Sequence, residues 1–445
     1  MNQNEGTPVP RRYGFWTASA MVVGITIGSG VFFKADDVLS AAGGSLPMAL
    51  LAWLIGGAIM VVTAYVFARI ASRIEKVNGM VDYFEAAYGE KAAYLVAWFM
   101  TIIYYPSLVA VLSWVSANYT LALTGWEQGL WSLALIYMLL FNILNVLSPM
   151  MAGRWQVSAT IIKLIPLLLV GVFGTISGII SGQTVDSFTR TAGSLATQGG
   201  GLALATVSTA FAYEGWIIAT SINSEIRDAR RVLPRALITG TLAIMLIYML
   251  YYLGLSGVLS NEAILQAGDK APVLVVSKIF GSVGGSLLTA FVVVSCLGTL
   301  NGLVMATSRG MYSIAVRGRG PAVDFFSRIN KKTASTLNSA LAGLGISLFW
   351  LLVWYGNFQG WWGGFLDISE LPIVFLYSIY LSLYFWYVRH FKDFSFVQRY
   401  VAPALAGIGS VYILIGGLRK DMVIQFLILS CLIFGAALLL DRKKK

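Results

Sequence analysis

The chain has 445 residues, of which 58% are hydrophobic and only 11% charged, and its mean hydropathy is +0.76. Soluble globular domains carry about 25% charged residues, so this composition excludes an ordinary soluble enzyme or binding module. The formal net charge of +11 would suit a nucleic-acid-binding protein, but the charges follow a pattern typical of membrane topology. The composition therefore predicts a protein that is largely embedded in a lipid bilayer.

Twelve runs of about 20 residues with few charges predict transmembrane helices. They lie near 14–36, 46–68, 92–118, 129–148, 154–180, 199–223, 236–260, 281–308, 337–356, 361–388, 401–418 and 422–440. The first run is too long for a removable signal peptide and lacks a small-residue cleavage site. Because the tails and loops between the runs are short, we expect no soluble domain.

The basic residues are distributed unequally between the two sides of the membrane. With the N-terminus placed in the cytoplasm, 24 of the 31 Lys and Arg residues fall in cytoplasmic segments, six fall outside, and Lys163 lies within a span. This asymmetry follows the positive-inside rule. It predicts a multi-pass protein of the plasma (inner) membrane with both termini in the cytoplasm, whose charge contacts anionic lipid rather than nucleic acid.

The first and sixth spans are each interrupted in the middle. The first carries Ile27-Gly28-Ser29-Gly30-Val31, and the sixth carries Phe211-Ala212-Tyr213-Glu214-Gly215-Trp216. Spans one and six are five apart, so they cross the bilayer in opposite directions, as in the inverted repeats of many secondary transporters. The sequence thus predicts an all-α polytopic membrane protein with 12 transmembrane helices, of which helices 1 and 6 are discontinuous. The predicted divisions are a cytoplasmic tail 1–13, a first five-helix repeat 14–180, a second, inverted repeat 199–390, helices 11–12 at 398–440 and a basic tail 441–445.

The first break offers both chemical complements of a zwitterionic ligand. If the helix stops near Thr26 and restarts near Val31, the second half begins with unpaired N–H groups and a positive dipole end, which suit a carboxylate. The first half ends with unpaired C=O groups, which suit an ammonium. Gly28 and Gly30 let a backbone approach closely. The alternative is that these small residues only permit tight helix packing, and the second broken span favours the ligand site.

Two ionisable residues lie at bilayer depth. A carboxylate there faces a cavity or a partner, so Glu214 is expected to contact a substrate side chain, to use only its backbone carbonyl, or to pair with a buried cation. Lys163 lies nine residues beyond Arg154, about 13 Å deeper at about 1.5 Å per residue. Its buried ammonium needs carbonyl or carboxylate partners, or it deprotonates. In a transporter such an ammonium can occupy the place of a Na⁺ ion.

Other residues are candidates for the same site. Asn301 in the eighth span is a candidate substrate contact, and Phe211 and Trp216 are candidate gates or pocket walls. Glu370, with Asp367, either forms an outer gate or lies in the wet headgroup region. The sequence contains no metal-ligand spacing, P-loop, dinucleotide fingerprint or nucleophile–base pairing. We therefore expect no catalytic residue, no metal site, no cofactor and no enzyme activity.

These motifs resemble those of the amino acid–polyamine–organocation (APC) superfamily. The resemblance rests on Ile27-Gly28-Ser29-Gly30-Val31-Phe32, Lys163-Leu164-Ile165-Pro166, the Phe211–Trp216 run, and Glu225 followed by Leu233-Pro234-Arg235-Ala236. It extends over essentially the whole chain and points to L-amino acid transporter (LAT)-type exchangers, similar to bacterial serine/threonine and alanine-serine-cysteine exchangers. It implies a LeuT-like fold of two inverted five-helix repeats plus two C-terminal helices.

The resemblance also implies roles for individual residues. The N–H groups of Ser29, Gly30 and Val31 would hold the substrate carboxylate, and carbonyls near Thr26, Phe211 and Glu214 the α-amino group. Phe211 matches an aromatic gate, and Lys163 matches a lysine linked to the first broken helix and to sodium independence. Family members with an acidic residue at the position of Glu214 include serine/threonine and cationic amino acid exchangers, so the side-chain preference stays open. The backbone around the two breaks completes the implied substrate site with Gly28, Ala212, Tyr213 and Gly215.

These features together predict a Na⁺-independent exchanger of L-amino acids that works by alternating access. Small neutral polar substrates such as serine, threonine and alanine are expected first. The alternatives are an H⁺-coupled amino acid symporter in which Lys163 titrates, a transporter that prefers cationic amino acids, and a non-transporting amino acid sensor. The expected partners are L-amino acid substrates and the lipid bilayer, and the sequence identifies no partner subunit.

Overall fold

The computed structural model describes residues 14–28, 30–74, 79–195, 201–217, 226, 228–330, 332–333 and 335–441. Helices build the fold throughout these ranges, because long apolar runs can satisfy their backbone groups in a bilayer only by helix formation or barrel closure. The α-helices of these ranges are α1 Phe15–Thr26, α2 Gly30–Phe33, α3 Ala35–Ala41, α4 Leu46–Ala71, α5 Met80–Tyr88, α6 Glu90–Phe99, α7 Tyr105–Thr124, α8 Leu130–Leu147, α9 Pro149–Leu169, α10 Thr175–Ser181, α11 Gln183–Thr189, α12 Leu202–Tyr213, α13 Ala229–Val258, α14 Asn261–Ala267, α15 Ala271–Ser308, α16 Gly310–Ala315, α17 Val323–Phe326, α18 Leu337–Phe358, α19 Leu371–His390, α20 Ala402–Gly417 and α21 Val423–Leu440.

Ten helical segments of the described chain are long and apolar enough to cross a membrane. They are Leu46–Ala71, Glu90–Thr124, Leu130–Leu147, Ile162–Ser181, Arg231–Val258, Asn261–Ala315, Leu337–Phe358, Leu371–His390, Val397–Gly417 and Val423–Leu440. Two shorter apolar helices, α1 and α12, lie in the first and sixth spans, the two that the sequence predicts to be broken. The chain is therefore a polytopic membrane protein.

The outward surface of the bundle is apolar. In α21, Leu439, Leu432 and Ile424 are 85%, 67% and 66% exposed. Soluble monomers rarely leave contiguous apolar surface of this kind open to water, whereas in a bilayer such side chains face lipid. The last helix thus lies at the periphery of the bundle, whereas the ionisable side chains of Lys163, Glu214 and Glu370 are buried inside it.

Three short π-helical segments, Met100–Tyr104, Val170–Gly174 and Val397–Val401, lie close to prolines. A proline has no N–H and cannot bond the carbonyl four residues before it. For Pro106 that carbonyl belongs to Ile102, and the indole Nε1 of Trp350 donates to it at 2.8 Å. Such segments are frequent at functional sites. The segment Met100–Tyr104 ends at Tyr104, whose hydroxyl donates to Glu214 of the sixth span at 2.8 Å.

Small residues set the closest helix contacts. Gly254 and Gly257 of α13 face Gly174 and Gly178 of the fifth span so closely that a Cβ atom would have no room. Membrane helices commonly associate through such small-residue faces. Because α13 also packs along α4 and α1, it forms a wall beside the first break.

Candidate functional site

The first helix ends where the sequence predicts. The N–H of Ile27 donates to the carbonyl of Val23 at 2.8 Å, and Ile27 itself is extended, with φ −67° and ψ 110°. The chain becomes helical again at Gly30. At Gly28 a Cβ would lie 2.6 Å from the hydroxyl oxygen of Thr299, so α15 approaches the break more closely than any larger residue would allow. Ser29, a predicted substrate contact, lies outside the described residues.

The sixth span is broken in the same manner. Helix α12 ends at Tyr213, and Glu214 is extended, with φ −76° and ψ 159°. Gly215 has φ 112°, a conformation that side-chain-bearing residues rarely adopt. The glycine therefore allows the chain to turn away from the helix axis immediately after Glu214.

The two breaks touch each other. A Cβ on Gly30 would lie 2.5 Å from the Cα of Ala212, so the first turn of α2 rests directly on the end of α12. The hydroxyl of Tyr248 in α13 contacts the carbonyls of Ala212 at 3.1 Å and Thr26 at 3.4 Å. Sequence reasoning missed Tyr248. The sequence pattern that could have indicated it is Tyr248, Tyr251 and Tyr252, which lie on one face of a helix because they are three and four residues apart.

Aromatic packing fixes the end of α12. Trp53 of α4 lies edge-on to Tyr213 and Tyr248, with ring centroids 5.6 and 5.8 Å apart. The hydroxyl of Tyr213 donates to the Trp53 carbonyl at 2.9 Å. Trp216 is fully buried edge-on to Phe67 at 5.4 Å, so it forms part of an interior wall.

Lys163 connects three helices. Its side chain is completely buried, and its ammonium donates to the Gly24 carbonyl and the Thr299 hydroxyl, each at 3.2 Å. In a continuous helix the Gly24 carbonyl would pair with the N–H of residue 28. Lys163 instead donates to it just where α1 stops, so the lysine is linked to the first broken helix.

Glu214 is buried and accepts a side-chain hydrogen bond. Its Oε1 accepts a 2.8 Å hydrogen bond from Tyr104, while its Oε2 is buried without a hydrogen-bond partner in the described part of the chain. The side chain that donates to Glu214 is therefore the phenol of Tyr104. It is not a buried cation, with which one hypothesis paired Glu214. The carboxylate therefore keeps unused acceptor capacity in a desolvated place.

A network of buried charges lies next to Phe211. The ammonium of Lys34 is 2.8 Å from Glu370 and from Asp37, and 3.7 Å from Asp367. It also lies 5.8 Å from the ring centroid of Phe211, which packs edge-on against Phe33. Glu370 is fully buried, so the hypothesis that it lies in a wet headgroup region is wrong.

Lys420 completes this network from the loop between α20 and α21. Its ammonium lies 2.7 Å from Glu370 and 3.4 Å from Asp367. Burial alone would lower the pKa of Lys420, but the carboxylates of Glu370 and Asp367 outweigh it and raise that pKa above its ordinary value. Sequence reasoning missed both lysines of the network, because each reads as an ordinary charge at a span end.

Asn301 lies in a different polar contact. It donates to the Ala152 carbonyl and accepts from Asn145, both at 3.0 Å. These bonds join α15 to α8 and α9. The participation of Asn301 in the substrate site stays a prediction.

With this geometry established, comparison with known proteins assigns the family. The sequence model described as amino acid permease matches residues 13–440. The chain belongs to the amino acid permease family. Members of this family are transporters rather than enzymes, which agrees with the buried polar groups at the two helix breaks.

Individual permeases of the family resemble the chain over most of its length. The serine/threonine exchanger SteT of Bacillus subtilis is 30% identical over 382 residues, covering 86% of this chain and 83% of the relative. The human large neutral amino acids transporter small subunit 2 is 29% identical over 331 residues, covering 72% and 60%. The mouse Asc-type amino acid transporter 1 is 26% identical over 359 residues, covering 79% and 66%. The match thus spans less than two thirds of the length of both mammalian relatives.

Proposed function

We propose that the chain exchanges small neutral polar L-amino acids across the plasma membrane by Na⁺-independent alternating access. The observation that carries this proposal is the contact of Gly30 with Ala212. Through it, the N-terminal end of α2 lies beside the C-terminal end of α12, and the Tyr248 hydroxyl contacts carbonyls at the ends of both α12 and α1. Such an arrangement suits a small molecule that bears a carboxylate and an ammonium together. The names of the relatives, a serine/threonine exchanger among them, support this chemistry.

The substrate carboxylate is assigned to the beginning of α2. The N–H groups of Gly30 and Val31 would bind it, together with Ser29. The helical segment that follows these N–H groups is longer than α2 alone. The backbone N–H of Lys34 donates to the Gly30 carbonyl at 2.9 Å, and the backbone N–H of Val38 donates to the Lys34 carbonyl at 3.1 Å. The helix dipole of this longer segment favours an anion at its N-terminal end.

The substrate ammonium is assigned to carbonyls at the ends of α1 and α12, namely those of Thr26, Phe211, Ala212 and Glu214. Tyr248 already contacts two of them, Thr26 and Ala212. One hydroxyl carries a single proton and cannot satisfy both carbonyls. Acceptor capacity is therefore left for the three protons of an ammonium.

Sodium independence is assigned to Lys163. Its ammonium supplies a fixed positive charge to the Gly24 carbonyl and the Thr299 hydroxyl, oxygen atoms of the kind that would ligate Na⁺. A cation bound beside it would be repelled. The transport cycle on this view needs no Na⁺.

The same proposal includes the topology. Ten full-length spans and two interrupted helices support a count of 12 and a LeuT-like arrangement with repeats 14–180 and 199–390, followed by helices 11–12 at 398–440. The excess of Lys and Arg in alternate loops supports cytoplasmic termini. On this assignment the tails 1–13 and 441–445 are cytoplasmic.

The outer gate is assigned to Phe211 and the buried ion network. Lys34, between α2 and α3, forms an ion pair with Glu370 at the start of α19. Its ammonium lies 5.8 Å from the centroid of the Phe211 ring. Opening an outer path between α2 and α19 requires Lys34 and Glu370 to separate. Trp216 is proposed as a wall of the closed site rather than as a moving gate.

The test is counterflow in proteoliposomes that contain the purified full-length chain. Uptake of labelled serine should require unlabelled amino acid inside and should be the same in sodium and choline buffers. Uptake into empty vesicles, or a dependence on Na⁺, would contradict the proposal. Amino acid binding without any flux would instead indicate a sensor.

A second candidate, H⁺-coupled symport, is favoured by one observation. The hydrogen-bond acceptors of Lys163 in the described structure, Gly24 and Thr299, are neutral, so the lysine could release a proton at lower cost than a lysine paired with a carboxylate. A pH gradient would then drive serine uptake into empty vesicles. The Lys163→Ala variant should lose that pH dependence, whereas exchange without a pH gradient would reject the symport mechanism.

A further inference from the structure

The buried ion network consists of two groups of charges on opposite sides of the proposed outer gate. On one side, the ammonium of Lys34 lies 2.8 Å from Asp37, three residues further along the chain. On the other side, the ammonium of Lys420 lies 2.7 Å from Glu370 and 3.4 Å from Asp367. Each group therefore contains a cation and at least one carboxylate of its own.

Glu370 uses a different oxygen for each lysine. Its Oε1 lies 2.8 Å from the ammonium of Lys34, and its Oε2 lies 2.7 Å from the ammonium of Lys420. The two contacts share no atom of the carboxylate. Lys34 can therefore move away from Glu370 while the pair between Glu370 and Lys420 stays intact.

The loop that carries Lys420 is packed against α19, the helix that begins next to Glu370. The backbone N–H of Lys420 donates to the carbonyl of Gly417 at 3.0 Å. At Gly417 a Cβ would lie 2.4 Å from a side-chain carbon of Val374, near the start of α19. Lys34, in contrast, belongs to the segment that continues the first broken helix. Opening between α2 and α19 thus separates Lys34 from Glu370 and leaves Lys420 beside it.

Electrostatics gives Lys420 a specific effect on this opening. A buried carboxylate that loses its cation is strongly destabilised. If Lys34 were the only cation of the network, opening would leave both Glu370 and Asp367 without a partner. The two ammonium groups also repel each other across the carboxylates that they share, and like charges interact strongly away from water. Opening relieves this repulsion, so Lys420 favours the open gate in two ways.

We infer that Lys420 is a positioning residue of the transport cycle, which holds the carboxylates of Glu370 and Asp367 when Lys34 moves away and so lowers the cost of opening the outer gate. This inference rests on the proposed function and identifies a residue that regulates its gate. Lys420 acts through Glu370 and not through contact with the substrate. The pair of Lys34 and Glu370 closes the gate, and Lys420 sets how readily that pair separates.

The test is serine counterflow in right-side-out membrane vesicles that contain the full-length chain. A substrate that enters only through the open gate binds with an apparent affinity that falls with the open fraction. Lys420→Gln should therefore raise the half-saturating concentration of external serine at least about tenfold, the usual effect of a charge-assisted contact. The half-saturating concentration of internal serine, measured in inside-out vesicles, should not rise. Lys420→Arg keeps the charge and should stay within about threefold of the unmodified chain.

The matched control is Arg419→Gln, which removes a positive charge from the neighbouring, exposed position of the same loop. Both half-saturating concentrations should stay unchanged in this variant. A double variant, Lys420→Gln with Glu370→Gln, also removes the carboxylate nearest to Lys34 on α19. It should return the value for external serine toward that of the unmodified chain, whereas a merely structural role of Lys420 predicts a further loss.

Three results would overturn the inference. They are an unchanged value for external serine in Lys420→Gln, an equal rise at both membrane faces, and no recovery in a double variant that still exchanges serine from the inner face. Absence of serine counterflow by the unmodified chain would instead reject the proposed function. An unchanged value for internal serine in Lys420→Gln shows that this variant is folded.

Discussion

Gly30 and Ala212 are in backbone contact: the position that a Cβ of Gly30 would occupy is 2.5 Å from the Cα of Ala212. The two broken helices therefore meet at a point where no side chain fits. This contact joins the start of α2 to the end of α12, although the residues are far apart in the sequence.

Replacing Gly30 with alanine should damage both folding and transport. In an ordinary helix Gly→Ala is neutral or stabilising, but here the added methyl group meets backbone, and overpacking costs about 1–3 kcal/mol. Thermal unfolding of the purified protein and alanine counterflow measure the two effects. The control is Gly345→Ala in α18, where a Cβ meets no atom within 4 Å. Equal unfolding midpoints and equal counterflow rates for Gly30→Ala and Gly345→Ala would show that the close contact of Gly30 with Ala212 is not required for stability or transport.

Removing the Lys163 ammonium should slow exchange at least about tenfold, because a hydrogen bond from a charged donor contributes about 1.5–3 kcal/mol. Lys163→Ala leaves the Gly24 carbonyl and the Thr299 hydroxyl without this donor. The measurement is the initial rate of serine counterflow at matched protein content. Lys278→Ala, at an exposed lysine, should keep the rate of the unmodified chain. A Lys163→Ala rate within twofold of that value would contradict the role assigned to this residue.

Buried and exposed ion pairs should differ in their contribution to stability. Glu370→Gln leaves Lys34 and Lys420 buried with reduced compensation, and breaking a buried pair costs about 3–5 kcal/mol. Arg190→Ala removes a pair with Asp186 in which the side chains are 75% and 53% exposed, and such pairs contribute less than about 1 kcal/mol. Thermal unfolding midpoints should therefore drop much further for Glu370→Gln. Equal unfolding midpoints for the two variants would mean that the buried ion network contributes no more to stability than the exposed pair.

The indole of Trp350 should stabilise the π-helical segment of the third span. Trp350→Phe keeps an aromatic ring but leaves the Ile102 carbonyl without the donor that Pro106 cannot provide, at a cost of about 1–3 kcal/mol. Trp126→Phe, at a residue that is 68% exposed, is the control and should leave the unfolding midpoint unchanged. If both variants unfold at the same temperature, another group satisfies that carbonyl.

Local features of the sequence predicted much of the fold. Hydropathy predicted the spans, and the glycines at 28, 30 and 215 predicted where the first and sixth helices end. The depth of Lys163 below Arg154 predicted a buried ammonium, and the side chain of Lys163 is 0% exposed in the structure. These properties depend on residues close together in the chain, so they can be recognised without knowledge of the packing.

The partners of the buried groups could not be predicted in this way. Tyr104 meets Glu214 across 110 positions, and Tyr248 meets Thr26 across 222. Lys34, Glu370 and Lys420 look like unrelated charges near span ends until α19 and the α20–α21 loop are packed against α2. One alternative for Glu370, a position in the wet headgroup region, was wrong for this reason.

The sequence by itself determined that the chain enters a bilayer, which segments are apolar enough to cross it and where two helices break, because burial of apolar groups and the conformational freedom of glycine act locally. Only the tertiary structure decided that the breaks touch and that Lys163 donates to the Gly24 carbonyl at the end of α1. It also decided that Tyr104 donates to one oxygen of Glu214, while the other finds no hydrogen-bond partner among the described residues. Those relationships follow from the packing of distant helices, which sets the distances between groups that the chain order keeps apart.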